Sequence, residues 1–297
     1  MPALIDLRKR IKSVRNTQQI TQAMKTVSTV KFQKAQRLVL ESRPKWHDSP
    51  DLVSEAALWA PRSSHPLMER REEQKILGLV ITSDKGLAGA FNSNLLDAAS
   101  SFFAEKAESS DVCLILIGKK AVLFFKKKEY PILRSYSGQI HRFSAEDCSK
   151  LARFLMELYI LNKTDAVYVA YNEFKSILAP RVMITRLLPV DLSGSEKETE
   201  GAGDKTAFTE QKPDWDPAMI PFIQSLLPQH VEDQIGHFFF ESSAAEHAAR
   251  MMAMDNATQN AEDLIEDLTL VLNKIRQASI TKELLEIMSA VEALAKK

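Results

Sequence analysis

The stretch that comes nearest to a ligand or reaction site lies at 83–92 (SDKGLAGAFN). It follows an apolar run rich in β-formers, ILGLVIT at 76–82. It leads into a segment with Phe91, Leu95, Ala99 and Phe102 on one helical side. A strand-to-helix turn can hold phosphate, because free N–H groups and the helix dipole both face an anion there. Gly86 and Gly89 are only two of the glycines a dinucleotide fingerprint needs, and GxxxxGKS/T occurs nowhere. A tight turn or a subunit contact is the favoured reading. His230, His237 and His247 share one helical segment with Asp233 and Glu241, but there is no HExxH and no GxSxG. Those histidines are expected at solvated helix positions. Cys113 and Cys148 show neither metal-ligand spacing nor a disulfide framework, which fits two buried thiols in a reducing compartment. No catalytic, cofactor-binding or metal-ligating residue is assigned.

The elements that hold these residues are dominated by the two ends of the chain. After Pro228 there is no proline, and the only glycine is Gly236. So few breakers over residues 228–297 predict one continuous helix, on the order of 100 Å long at about 1.5 Å per residue. Leu264, Leu268, Val271, Ile275 and Ala278 follow the spacing of a coiled-coil seam. Ile280, Leu284, Ile287, Val291 and Leu294 repeat it two residues out of step, so the apolar stripe changes face near Ser279. The first stripe suits a helix of the same chain and the second a different surface. Small residues at Ala244, Ala245, Ala248, Ala249 and Ala253 allow close approach of a neighbour. At the other end, residues 3–43 lack glycine and proline. Leu4, Leu7, Ile11 and Val14, then Ile20, Met24 and Val27, mark a second long helix.

Between the helices, apolar runs at 76–82, 112–117, 132–136, 166–171 and 182–189 alternate with helical segments. One of these is expected to start at Ser144 in the cap pattern SAED. The fold class is therefore α/β: an antiparallel coiled coil of N- and C-terminal helices with an inserted α/β, Rossmann-like domain. The expected organisation is an N-terminal coiled-coil helix at 1–58, the inserted domain at 76–190, a flexible loop at 193–212 and a C-terminal coiled-coil helix at 214–297. Residues 44–74 are mixed, with 61–74 reading as a linker. Residues 214–229, with Pro217, Pro221 and Pro228, read as an interrupted helical lead-in. The two ends of an insertion leave it close together, so the terminal helices run antiparallel. The longer one then outruns the shorter.

Net charge is zero but unevenly placed. Residues 1–50 carry eleven Lys/Arg against three Asp/Glu, while 230–297 carry six against twelve, which favours pairing of the ends. Arg8, Lys9, Arg10, Lys12 and Arg15 crowd the first turns. They suit acidic protein loops or nucleic acid on one reading, and a solvated face paired with the acidic helix on the other. Arg250 and Arg276 are either paired internally or offered to a partner. No apolar run approaches a bilayer span, and the N-terminus has no hydrophobic signal core.

Three blocks resemble the gamma subunits of F-type ATP synthases: LRKRIKSVRNTQQITQAMKTVSTVKFQKAQ at 7–36, ITSDKGLAGAFNSNL at 81–95, and 246–294 with EHAARMMAMDNAT and LIEDLTLVLNKIRQASITKELLEI. Ile280, Thr281, Glu283 and Glu286 fit the family's C-terminal signature, while Ala290 and Val291 stand where it has Gly and Ala. The resemblance implies a central-stalk rotor without catalytic residues or cofactor of its own. It would couple proton translocation to ATP synthesis at alpha/beta sites. Implied partners are three alpha and three beta subunits, the epsilon subunit and the c-subunit ring, with no nucleic acid. The implied location is the cytoplasmic face of the bacterial inner membrane, held there through the complex. Met24 and Lys25 match residues that meet an acidic loop of beta; Arg276, Gln277, Thr281 and Glu283 match residues contacting the alpha–beta ring. Two rival readings remain from the residues alone: a nucleotide-binding α/β enzyme with a helical arm, and a coiled coil gripping nucleic acid.

Overall fold

The computed structural model describes residues 2–59, 65–138, 144–176, 180–190 and 219–295, with side chains at 4–42, 65–138, 144–176, 180–190, 224–289 and 291. The flexible loop expected at 193–212 lies outside the described residues. The chain divides into two compact units, one of Met1–Val30 with Arg250–Lys297 and one of Lys31–Ala249. Two long helices contribute to both: α1 (Pro2–Trp59) and α5 (Met219–Ala295). The backbone of α1 stays helical through Pro44 and Pro50, beyond the uninterrupted run visible in the sequence. Likewise α5 includes Pro221 in its first turn and Pro228 further in, so the segment read as an interrupted lead-in is helix from Met219. A proline in the first turn costs nothing, since its missing N–H has no intrahelical partner there.

The second unit is built on a sheet of five strands: β1 (Lys75–Ile81), β2 (Asp111–Ile117), β3 (Ile132–Tyr136), β4 (Ala166–Glu173) and β5 (Arg181–Leu188). Their order is β3-β2-β1-β4-β5. The first four are parallel neighbours and β5 pairs antiparallel to β4. Crossovers are made by α2 (Phe91–Ala107), α3 (Lys119–Phe125) and α4 (Ala145–Ile160). The central strands read as continuous apolar runs because helices cover both faces. On one face Leu77, Leu79, Ile81, Ile115 and Val169 pack with Leu151, Leu155 and Tyr159 of α4 and with Val231, Ile235 and Phe238 of α5. On the other, Ile76, Val80, Leu114, Leu116 and Ala170 meet Leu95, Ala99 and Phe103 of α2 and Phe125 of α3. The innermost ring of α2 is thus Phe103 rather than Phe102, which packs against that cluster only partly buried.

Local chemistry sets the joints. α4 starts in the capping box that SAED suggested. The Ser144 hydroxyl accepts from the Asp147 N–H at 3.3 Å, and the Asp147 carboxylate accepts from the Ser144 N–H at 2.9 Å. Gly118, before α3, has φ +93°, and a side chain there would strike the Thr82 carbonyl oxygen. Gly78 in β1 faces α2, where a Cβ would collide with the Phe103 ring and lie 2.7 Å from Leu114.

The histidines depart from expectation. His230, His237 and His247 are all buried rather than solvated. The reason is that α5 is enclosed from two sides over this length. Val231, Ile235 and Phe238 serve the sheet-side core, while Ala244, Ala245 and Ala248 pack with Phe32, Ala35 and Val39 of α1. Such a helix has no free face on which to place its polar residues. Glu241, 1% exposed, is matched by the Phe174 N–H at 2.8 Å and stands 3.9 Å from His237.

Two measurements test this packing. Gly78→Ala is expected to destabilise the chain by roughly 1–3 kcal/mol through overpacking, read as a lower denaturation midpoint with unchanged slope. Burial pushes the His230 imidazole down to about 4. Its ordinary value is about 6.5, so between these two pH values the unfolded chain takes up a proton that the folded chain refuses. Stability is therefore expected to fall as pH drops through that window, by roughly 3 kcal/mol at its acid end. The slope of melting temperature against pH should flatten in His230→Leu.

Candidate functional site

Two places qualify as sites, one in each unit. In the α/β unit it is the crevice at the carboxyl ends of β1 and β4, where the strand order reverses and where doubly wound sheets bind their ligands. Here the chain fills it. Ala88 and Phe91, from the loop at 83–92 and the start of α2, are buried with Phe174, Phe32 and the small residues Ala244, Ala245 and Ala248 of α5. Phe32 and Phe174 meet edge to face with centroids 5.3 Å apart. The Asn172 side-chain amide donates to the Phe91 carbonyl at 3.4 Å. Polar side chains of the loop bind backbone N–H groups around it. The Asp84 carboxylate accepts from the N–H groups of Lys119 at 3.0 Å and Gly138 at 2.8 Å, and the Asn92 side-chain oxygen accepts from the Ser83 N–H at 3.1 Å. The Asp84 carboxylate thereby ties the loop at 83–92 to the start of α3 and to Gly138. The strand–loop–helix that suggested phosphate is a structural joint. Among the described residues no three His, Cys, Asp or Glu side chains gather to hold a metal ion.

In the helical unit the site is a surface. The covered positions of α1 include Leu4, Leu7, Ile11, Val14, Gln18, Thr21, Lys25 and Ser28, a three-and-four alternation, with Met24 and Thr29 half-buried at its edge. Those of α5 include Met254, Thr258, Ala261, Ile265, Leu268, Leu272, Ile275 and Ser279, with the same alternation. The apolar pattern of α1 departs from this seam midway. Ile20 and Val27 are exposed, at 60% and 56%. On α5, Leu264, Val271 and Ala278 also lie outside the seam, which shares only Leu268 and Ile275 with the expected stripe. The cause is a polar middle. Thr21 and Thr258 share a hydrogen bond of 2.8 Å across the seam, and one turn further Lys25 donates to Asp255 at 2.6 Å. These cross-helix polar contacts were not legible as site residues. The signal that identifies them is the heptad spacing continuing through polar residue types.

These two bonds fix the antiparallel register: each step forward in α1 is a step back in α5. Pro2 then comes level with Ala278, and α5 continues to Ala295. The last four to five turns have no partner helix in this unit, a length of about 25 Å. Their described side chains, from Ile280 to Ser289 and at Val291, are all exposed, among them Leu284 at 56% and Met288 at 68%. An apolar stripe of that length left in water marks a surface that another molecule covers.

The residues singled out from the sequence fall on this unit. Arg276, Gln277, Thr281 and Glu283 are exposed at and beyond the point where α1 begins, and Met24 is half-buried beside the polar middle. Lys25 is half-buried too, with its ammonium on Asp255. Arg8, Lys9, Arg10, Lys12 and Arg15 are all exposed. Lys25–Asp255 is the one α1-to-α5 ion pair among the described residues of this unit, so the expected general pairing of basic and acidic ends is realised there at one position. Arg250 is buried and Arg276 is exposed, which separates two residues the sequence treated alike. No described helix is long and apolar enough to cross a membrane.

Comparison with known proteins follows the same lines. Residues 3–294 match the family model described as ATP synthase. The ATP synthase gamma chain of Pelotomaculum thermopropionicum is 40% identical over 294 residues, spanning 99% of this chain and 100% of that one. The gamma chain of Anaeromyxobacter dehalogenans is 41% identical over 298 residues, with the same coverage. Among solved structures, a chain of the Euglena gracilis mitochondrial ATP synthase, in a cryo-EM structure of OSCP, F1 and c-ring, superposes with a TM-score of 0.66. The identity is 19%, over 99% of this chain and 95% of that one. A chain of the rotor of the same enzyme gives 0.61 at 18% identity, over 94% and 99%. At such identities the likeness is one of fold.

The seam and the overhang are expected to respond differently to truncation. Ile11→Ala should cost roughly 2–4 kcal/mol, whereas Leu284→Ala in the isolated chain should stay within about 0.5 kcal/mol. Denaturation followed by helical circular dichroism separates the two.

Proposed function

This chain belongs to the ATP synthase gamma-chain family, and from that membership we propose that it is the rotor shaft of a proton-translocating ATP synthase, a non-catalytic subunit that transmits torque. The observation that carries the proposal is the overhang of α5: exposed apolar residues at Ile280, Leu284, Ile287, Met288 and Val291 on a helix that has outrun its partner. A sleeve formed by three alpha and three beta subunits is the surface that covers them. Met24 and Lys25 meet an acidic loop of beta, with the Arg8–Arg15 cluster beside them. Arg276, Gln277, Thr281 and Glu283 contact the ring around the shaft.

Torque then works through differential contact. A partner that binds all states equally shifts none of them, so each angle of the shaft must favour a different beta conformation. Two helices that end at different levels offer unlike faces to the three beta subunits, which is the asymmetry such a device requires. The α/β unit takes the epsilon subunit and the c-subunit ring as its partners, and the chain lies on the cytoplasmic face of a bacterial inner membrane through them. Three supports converge: the full-length gamma-chain relatives, the crevice closed by the chain's own side chains, and the uncovered stripe.

The test is direct. A tagged chain should co-purify with alpha and beta subunits in a fixed ratio. Replacement of Arg276 and Gln277 together by alanine should lower ATP-driven proton pumping several-fold while the melting temperature of the isolated chain stays within about 2 °C. Normal pumping and normal complex yield in that variant would remove Arg276 and Gln277 from the contact.

A further inference from the structure

Six basic residues of α1 lie in the described part of the helical unit: Arg8, Lys9, Arg10, Lys12, Arg15 and Lys25. Five of them are exposed, and no α5 acid stands within salt-bridge distance of any of them. That is not for want of acids. On the register set by the two cross-helix bonds, Glu266 and Asp267 lie level with the five, and Glu262 and Asp263 lie within a turn of Arg15. Lys25 alone is matched, at 2.6 Å, by Asp255. Its side chain is 34% exposed and that of Asp255 is 48% exposed, so the pair stands at the surface, open to whatever passes. The difference is positional. Lys25 occupies a seam position, so its side chain must leave along the flank of α5, where Asp255 stands. The Thr21–Thr258 bond one turn away holds both helices at that level.

A surface pair of this kind adds little to stability. Its larger effect is on what the site offers to a third party. A bare ammonium attracts a passing carboxylate, while an ammonium already 2.6 Å from a carboxylate presents a dipole whose attraction falls off faster. Lys25 retains donors of its three to share with a partner, so contact remains possible but is weak.

We propose that Asp255 is a charge screen for Lys25, a positioning residue that keeps an acidic partner surface from being held at one rotor angle. This rests on reading the coil as a surface that acidic partner loops pass in turn. A shaft that visits equivalent partners one after another needs contacts strong enough to guide and too weak to trap. The bare Arg8–Arg15 cluster and the screened Lys25 are then two settings of the same interaction.

The experiment uses the assembled complex of the full chain with alpha and beta subunits, and compares Asp255→Asn, Lys25→Gln and the double variant. ATP hydrolysis is measured from about 20 to about 300 mM salt, a range over which the screening length shortens several-fold. Asp255→Asn is expected to slow turnover roughly two- to fivefold at low salt, with the loss disappearing at high salt. The double variant, which has no cation left to trap the partner, should recover the rate and salt profile of Lys25→Gln. A loss in Asp255→Asn that is independent of salt, or that the double variant does not relieve, would assign Asp255 a purely structural role and overturn the screen. An unchanged rate at low salt would overturn it as well. Failure of the unaltered chain to assemble with alpha and beta would instead sink the rotor reading itself, and the screen with it.

Discussion

Everything in the helical unit depends on one constraint, the antiparallel seam of α1 and α5 and the register in which it closes. Apolar layers at Leu4, Leu7, Ile11 and Val14 supply burial, but burial alone is indifferent to a shift along the axis. Directional bonds are not. The Thr21–Thr258 and Lys25–Asp255 contacts exist at one register, and that register decides where α1 ends relative to α5. The exposed stripe beyond Ser279 is therefore a consequence of the seam. Had the helices closed a heptad further along, the residues presented to a partner would differ.

The α/β unit obeys a different logic. Its parallel strands need cover on both faces, and α5 supplies part of that cover as well as its share of the coil. A helix required in two contexts cannot keep one amphipathic face. Over 227–250 it is buried nearly all round and carries histidines and carboxylates inside. Alanine at 244, 245 and 248 is the complementary adjustment: small side chains bring α5 close enough to Phe32, Phe91 and Phe174 to close the crevice of the sheet. The crevice where such a fold elsewhere binds nucleotides is here occupied by the chain's own side chains.

Much of this was legible in the residues. Long runs without glycine or proline set two helices, because nothing in them interrupts the hydrogen-bonded ladder. Alternation of apolar runs with helical segments set a parallel sheet, and SAED set the start of α4, since a cap is a local bond between neighbours in sequence. An insertion whose two ends leave it close together set an antiparallel pair, and the unequal lengths of the terminal runs set an overhang. All of these rest on interactions within a few residues, or on length.

Tertiary structure alone decided what depends on which residues are brought together from afar. Whether a histidine at 230, 237 or 247 is wet depends on α1 and the sheet arriving on either side, and helical periodicity carries no record of that. Whether Ile20 or Thr21 faces the seam depends on what stands opposite. Thr258 satisfies Thr21 and Asp255 satisfies Lys25, so polar residues hold seam positions that a hydrophobicity pattern assigns to their apolar neighbours. Residue types fix what a side chain would do if buried, and only the packed partner determines which side chain that is.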